Sequence, residues 1–231
     1  MQKRSSILLI IRVTFLWHTY CKLSLVALDS MQFWHRKLAR KPLGTGVEYM
    51  NEYFGKLLIA SPKLDSTPFS RSVVYVFQDN EDATVGVILN RPADDQIEQA
   101  WEGMVGALAT NVFPSFGGPL PGPVVALHRD ENAAEITLPN GIYTSATEDN
   151  IQYLLSQRDD SVRVFFGLSG WQQGQLANEV ENGDWIATHP SPELLFGHSS
   201  DLWTDALLRF QNRFFHEVLG IQGIPQNVLD N

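Results

Sequence analysis

Residues 163–188 read RVFFGLSGWQQGQLANEVENGDWIAT, and the spacing of apolar positions changes twice within them. Arg163-Val164-Phe165-Phe166-Gly167-Leu168 is a β-branched and aromatic run, the signature of a strand. Gly170 to Gly174 reads as a turn, and Gln175-Leu176-Ala177-Asn178-Glu179-Val180 starts a helix. Trp185-Ile186-Ala187-Thr188 is then a short second strand. Strand, helix and strand in so short a stretch imply a mixed α+β architecture.

The flanks agree. Upstream, strands are expected at 56–60, 72–77 and 84–89, each followed by turn formers, and the near-continuous apolar character of the third implies burial on both faces. A polar helix is expected over 95–104, and further strands at 124–128 and 135–138. Pro139-Asn140-Gly141 is a turn before Ile142-Tyr143-Thr144. Thr147 is placed to cap a helix whose Ile151, Leu154 and Leu155 share one face. Downstream, Trp203, Ala206, Leu207, Phe210 and Phe214 make residues 200–219 an amphipathic helix, stopped by Gly220 and Pro225.

The 231 residues carry 17 Lys and Arg against 26 Asp and Glu, a net charge of −9. The charge is unevenly shared. Residues 1–50 hold eight basic and two acidic groups, and residues 51–231 hold nine and 24. The first segment has a charged start and an apolar run, SSILLIIRVTFLW, broken by Arg12, too short and interrupted for a spanning helix. With Met31 and Met50 downstream, 1–50 is expected to be a basic, disordered extension or the product of a start codon placed too far upstream. A targeting role is the alternative. Residues 51–231 form the expected single domain. One cysteine, Cys21, excludes a disulfide scaffold or a cysteine-based metal cluster within the chain. The acidic balance argues against contacts with a nucleic-acid backbone.

Gly167-Leu168-Ser169-Gly170-Trp171 approximates the nucleophile elbow G-x-S-x-G, with Trp171 in place of the second glycine. His128, His189, His198 and His216 are available as bases for a hydrolase of that kind. His189 and His198, nine apart with Glu193 between, fit no common zinc spacing, so no metal is expected. The glycine turn 170–174 leads into a helix N-terminus, where N–H groups and the helix dipole favour an anion. Trp171 there either walls a ligand or packs over the sheet edge. Asn90-Arg91-Pro92 ends a buried strand, so Arg91 sits at a sheet edge, paired with a carboxylate or reaching a ligand. Gly117-Gly118-Pro119 permits close backbone approach, to a phosphate or to another strand.

GKLLIASPKLDSTPFSRSVVYVFQ from Gly55, GVILNRP from Gly86, FGGPL from Phe116, VALHR from Val125 and FFGLSGWQQGQLANEVENGDWI from Phe165 together resemble, in order, the motifs of the YqgE/AlgH family of bacterial proteins. The resemblance runs from about Gly55 to Leu219. It departs at Leu120, where the family more often has Val, at the Pro-rich Pro121-Gly122-Pro123, and at Leu168-Ser169, which replaces a Tyr-Ala pair. The last departure argues against Ser169 as a nucleophile.

The resemblance implies a single compact α+β domain with a mixed sheet curled into a partial barrel and helices packed outside. It implies no established activity, no cofactor, and a cytoplasmic bacterial protein labelled a transcriptional regulator through an association with exopolysaccharide production. The favoured function is a non-catalytic module binding a small anionic ligand or a protein partner. Its expected site is Arg71, Asn90, Arg91, Gly117, Gly118, His128, Gly170, Trp171 and Gln175. A DNA-binding regulator and a hydrolase are the alternatives.

Overall fold

The computed structural model describes residues 52–105, 112–157, 159–197 and 199–219. The basic segment 1–50 and His198 lie outside the described residues, as does the end of the expected domain beyond 219.

The described residues form two five-stranded sheets. In the first, β1 (Leu57–Ala60), β2 (Val73–Asp79) and β3 (Ala83–Ile88) are flanked by β9 (Ser169–Gln172) and β10 (Trp185–Thr188), in the order β10-β1-β2-β3-β9. Every pairing in it is antiparallel. The second contains β4 (Pro114–Phe116), β5 (Val125–His128), β6 (Ile136–Leu138), β7 (Ile142–Ser145) and β8 (Arg163–Phe166), in the order β4-β8-β5-β7-β6. It is mixed, because β4 runs parallel to β8.

The α+β class stands, but the single mixed sheet expected from the resemblance is two sheets, and neither ladder closes on itself among the described residues. The chain crosses between them at Gly167 and Leu168, from β8 directly into β9. Isolated bridges Leu120↔Leu168 and Pro92↔Ser115 tie their margins together.

Alternation along the strands fills three apolar layers. Leu57, Ile59, Tyr75, Val85 and Val87 of the first sheet face Val125, Leu127 and Phe165 of the second. Two helices complete this interior, α4 (Pro192–Phe196) with Leu194 and Leu195, and α5 (Leu202–Leu219) with Leu202 and Ala206. On the reverse of the first sheet, Leu58, Val74, Val76 and Ile88 pack with Trp171, Trp185 and Leu176, the last from α3 (Gln175–Glu181). On the reverse of the second, Ala126 and Val164 pack with Trp101 of α1 (Asp95–Val105) and with Ile151, Leu154 and Leu155 of α2 (Glu148–Gln157). Full burial of one such large side chain is worth about 1.5–3 kcal/mol. A slip of one residue would turn each stripe outward, so these layers fix the register.

One local expectation is corrected. Residues 169–172 are strand, not turn, with Thr84 opposite Trp171 and Val85 opposite Gly170. The open edge of β3 supplies backbone partners, and burial of Trp171 outweighs the poor strand propensity of glycine. The turn is left to Gln173 and Gly174. Thr147 stands at the head of α2, its carbonyl accepting from Ile151 N (3.0 Å), and the Glu135 carboxylate anchors it, accepting from Thr147 N (2.9 Å), Thr147 Oγ1 (2.7 Å) and Asn150 Nδ2 (2.9 Å). Burial pushes the Glu135 carboxyl upward, but these bonds together hold it below its ordinary value. The turn at Asn140 and Gly141 is as expected, both residues taking positive φ.

Candidate functional site

Where β3 ends, Asn90 fastens two segments. Its Oδ1 accepts from Val73 N (2.9 Å) and its Nδ2 donates to Arg71 O (2.8 Å), clamping the residues before β2 against the end of β3. The clamp holds Arg71 at φ +50°, a left-handed conformation uncommon for this residue type. The Arg71 guanidinium lies 4.3 Å from the Trp203 ring centroid and donates to Asp201 Oδ2 at 2.7 Å. Asp201 opens α5: its Oδ1 accepts from Thr204 N (3.1 Å) and its Oδ2 from Thr204 Oγ1 (2.7 Å). The Thr204 hydroxyl and N–H, with Arg71 beside them, hold the Asp201 carboxyl below its ordinary value.

Next to this latch, Arg91 Nη2 donates to Ser70 O, with Ser72 Oγ at 3.5 Å. Among the described residues no carboxylate lies within 4 Å of Arg91. Arg71, Asn90 and Arg91 thus line one cavity of about 590 Å3, together with Ser115, Ser199 and Ser200.

A second cavity of about 480 Å3 adjoins it, sharing Leu89, Asn90, Ser199, Ser200 and Leu202. Its cation is Arg163, at the head of β8. Nη1 donates to Leu195 O (2.9 Å) and Nη2 to Leu89 O (2.5 Å), while the guanidinium lies 5.2 Å from the Phe165 centroid. Burial pulls it down to about 10, so it stays charged at neutral pH. In the sequence Arg163 stands out only as the first residue of a strand. The available signal was its position two residues from Phe165, which assigns both to the interior face.

The other expected site residues do not line either cavity. Gly117 and Gly118 sit where strands nearly touch: a β-carbon on Gly117 would come within 2.3 Å of Gly167 O, and one on Gly118 within 2.3 Å of Leu168 O. Close approach is therefore to the chain itself. Gly170 is a strand residue paired with Val85. Trp171 is 4% exposed, stacked on Phe69 and edge-on to Trp185. Its Nε1 donates to Glu179 Oε2 (2.8 Å), as does Trp185 Nε1 (2.9 Å), and Gln175 Nε2 donates to Glu179 Oε1 (2.8 Å). The packing alternative for Trp171 is the one observed, and Gln175 serves the same carboxylate.

His128 is fully buried in β5, its Nε2 2.9 Å from Ser145 Oγ, which donates to Ala133 O. Burial pulls its imidazole down, partly offset by Asp130 and Glu135. Ser169, expected at a strand-to-helix turn, is instead a fully buried strand residue whose Oγ donates to Gly117 O at 3.2 Å. An elbow serine must stand exposed on a sharp turn, so the hydrolase geometry is absent there. Among the described residues no group of three His, Cys, Asp or Glu could hold a metal, and no helix is long and apolar enough to cross a membrane.

Comparison with known proteins adds the lineage. The AlgH-like family model (DUF179) matches residues 57–214, a span that contains Arg71, Asn90, Arg91 and Arg163. A UPF0301 protein of Methylococcus capsulatus is 32% identical over 162 residues, 66% of this chain and 88% of its own length. One from Mycobacterium leprae is 32% identical over 163 residues, covering 67% and 81%. Two solved structures share the fold, each with a TM-score of 0.56. The solution structure of the AlgH protein from Pseudomonas aeruginosa is 18% identical and covers 79% of this chain and 100% of its own. The crystal structure of a Corynebacterium diphtheriae protein is 25% identical and covers 78% and 93%. With the motifs in order and the model matched from β1 into α5, the chain belongs to the AlgH-like family.

Proposed function

We propose that the domain is a non-catalytic, cytoplasmic regulatory module that binds a small anionic ligand in the cavity between the Arg71–Arg91 margin and the start of α5. The observation that carries this reading is the Arg91 guanidinium. It lines a cavity of about 590 Å3, and among the described residues it is bonded to a carbonyl and a hydroxyl and has no carboxylate within 4 Å to neutralise its charge. Arg71, paired with Asp201, adds a second guanidinium, and Ser199 and Ser200 complete the lining with hydroxyls. Cavities of this size suit a metabolite. The burial of Ser169 and His128 supports a module without catalysis. With nine basic and 24 acidic groups in residues 51–231, an effect on transcription or exopolysaccharide production would run through the ligand or a protein partner rather than through a DNA backbone.

The test is a thermal-shift screen of the full chain against phosphorylated and carboxylated metabolites. A ligand at about 100 times its Kd stabilises the folded state by about 2.7 kcal/mol and raises Tm accordingly. Arg91→Ala should abolish the shift. An anion that stabilises Arg91→Ala as strongly as the unaltered chain would overturn the proposal.

A further inference from the structure

The cavity of about 480 Å3 has a different chemistry from its neighbour. Arg163 presents five N–H donors, of which the carbonyls of Leu195 and Leu89 take two. Neutral carbonyls leave its charge uncompensated, and no carboxylate of the described residues lies within 4 Å. A largely buried, unpaired cation is costly unless something neutralises it. Yet Asp159 and Asp160 line the same cavity. Asp159 Oδ1 accepts from Ser161 N (2.8 Å), which fixes its direction, and among the described residues no cation lies within 4 Å of it. A plain dianion would meet Arg163 and be repelled by the two aspartates. The lining also includes two aromatic rings, Phe196 and the 82% exposed Phe113.

We infer that this cavity is a binding site for an apolar α-amino acid in its zwitterionic form, its carboxylate on Arg163, its ammonium on Asp159 and Asp160, and its side chain against Phe113 and Phe196. A carboxylate takes two parallel N–H bonds from one guanidinium, and an amino acid supplies the ammonium that a phosphate lacks. The volume exceeds that of one amino acid, leaving room for water around the charged head. This goes beyond the reading of the Arg91 cavity, which calls for an anion without an ammonium.

Calorimetric titration of the full chain tests it with L-leucine and L-phenylalanine as probes. Leucinamide lacks the carboxylate, N-acetyl-leucine the ammonium, and glycine the side chain. At least one of leucine and phenylalanine should bind saturably, and each truncated relative should bind at least about tenfold more weakly, about 1.4 kcal/mol per lost group. Asp160→Asn changes an exposed residue, so its Tm should be unaltered while leucine affinity falls several-fold. Arg163→Lys keeps the charge but loses the fork, and should lose at least as much. Absence of saturable binding by both amino acids at millimolar concentration would overturn the inference. So would N-acetyl-leucine binding as tightly as leucine, or Asp160→Asn with undiminished affinity.

Discussion

Trp171 Nε1 donates to Glu179 Oε2 across the turn that joins β9 to α3, at 2.8 Å, and the same oxygen takes the N–H of Trp185 at 2.9 Å. One carboxylate therefore satisfies two indoles that are almost fully buried, at 4% and 2% exposure. Removing it leaves two buried donors unpaired, at about 1–3 kcal/mol each. Glu179→Ala should lower the unfolding free energy by about 2–4 kcal/mol and shift the tryptophan emission. Glu179→Gln, which keeps an acceptor oxygen, should lose about half as much. Urea denaturation followed by fluorescence checks both.

Gly118 and Gly141 both take positive φ, at +149° and +66°, but only one is enclosed. A β-carbon on Gly118 would overlap Leu168 O, while Gly141 has nothing within 4 Å. Gly141→Ala should lose only about 1 kcal/mol, the backbone cost of a left-handed residue. Gly118→Ala must also push the backbone of Leu168 aside, and should lose more than about 3 kcal/mol or fail to yield folded protein. Parallel expression and thermal melts decide it.

The Tyr75 hydroxyl is fully buried between the sheets and has no hydrogen-bond partner among the described residues, and burial raises its pKa above the ordinary phenol value. A buried polar group without a partner opposes folding by about 1–3 kcal/mol. Tyr75→Phe removes the hydroxyl and keeps the ring, so it should leave stability unchanged or raise it by about 1 kcal/mol. A loss beyond 1 kcal/mol in urea denaturation would show that the hydroxyl is bonded after all.

Burial of His128 favours its neutral form, so its folded pKa lies below the ordinary 6.5 despite Asp130 and Glu135 nearby. Below pH 6.5 the unfolded chain binds the proton more readily. The stability from this residue is thus complete above pH 6.5 and is lost as pH falls through the window down to the folded pKa. Unfolding free energies between pH 7.5 and about 5 should fall with acidity, and His128→Gln should flatten that slope. The lowered carboxyls of Glu135 and Asp201 contribute their losses further down the scale.

What could be read from the chain and what could not divide by distance along it. The first three strands, the turn at Asn140 and the helix at 202–219 announce themselves because alternation, turn chemistry and helical spacing are local. β4 (Pro114–Phe116) is three residues long and exists only through parallel pairing with β8, which no neighbouring residue signals. β9 was hidden by its glycine, and only the open edge of β3 makes it a strand. The site shows the same division. Asn90 and Arg91 are legible from the end of one strand and Arg71 from the family resemblance, and the three line one cavity. Asp201, 130 residues away from Arg71, reaches it only through the fold. Trp171 was singled out for its turn, but the turn is a strand and its ring belongs to the interior.

The pairing of β1 with β10 places Leu57 opposite Thr188 and Ala60 opposite Trp185. The first strand of the sheet therefore lacks one of its two neighbours until the ribosome has made nearly everything between. On the growing chain β1, β2 and β3 form an apolar meander with both margins bare, because β9 also arrives late. Such long-range closure slows folding and leaves strand edges open to other chains in the meantime. Synthesis rate and chaperone supply should therefore govern the soluble yield of this protein more than its final stability does.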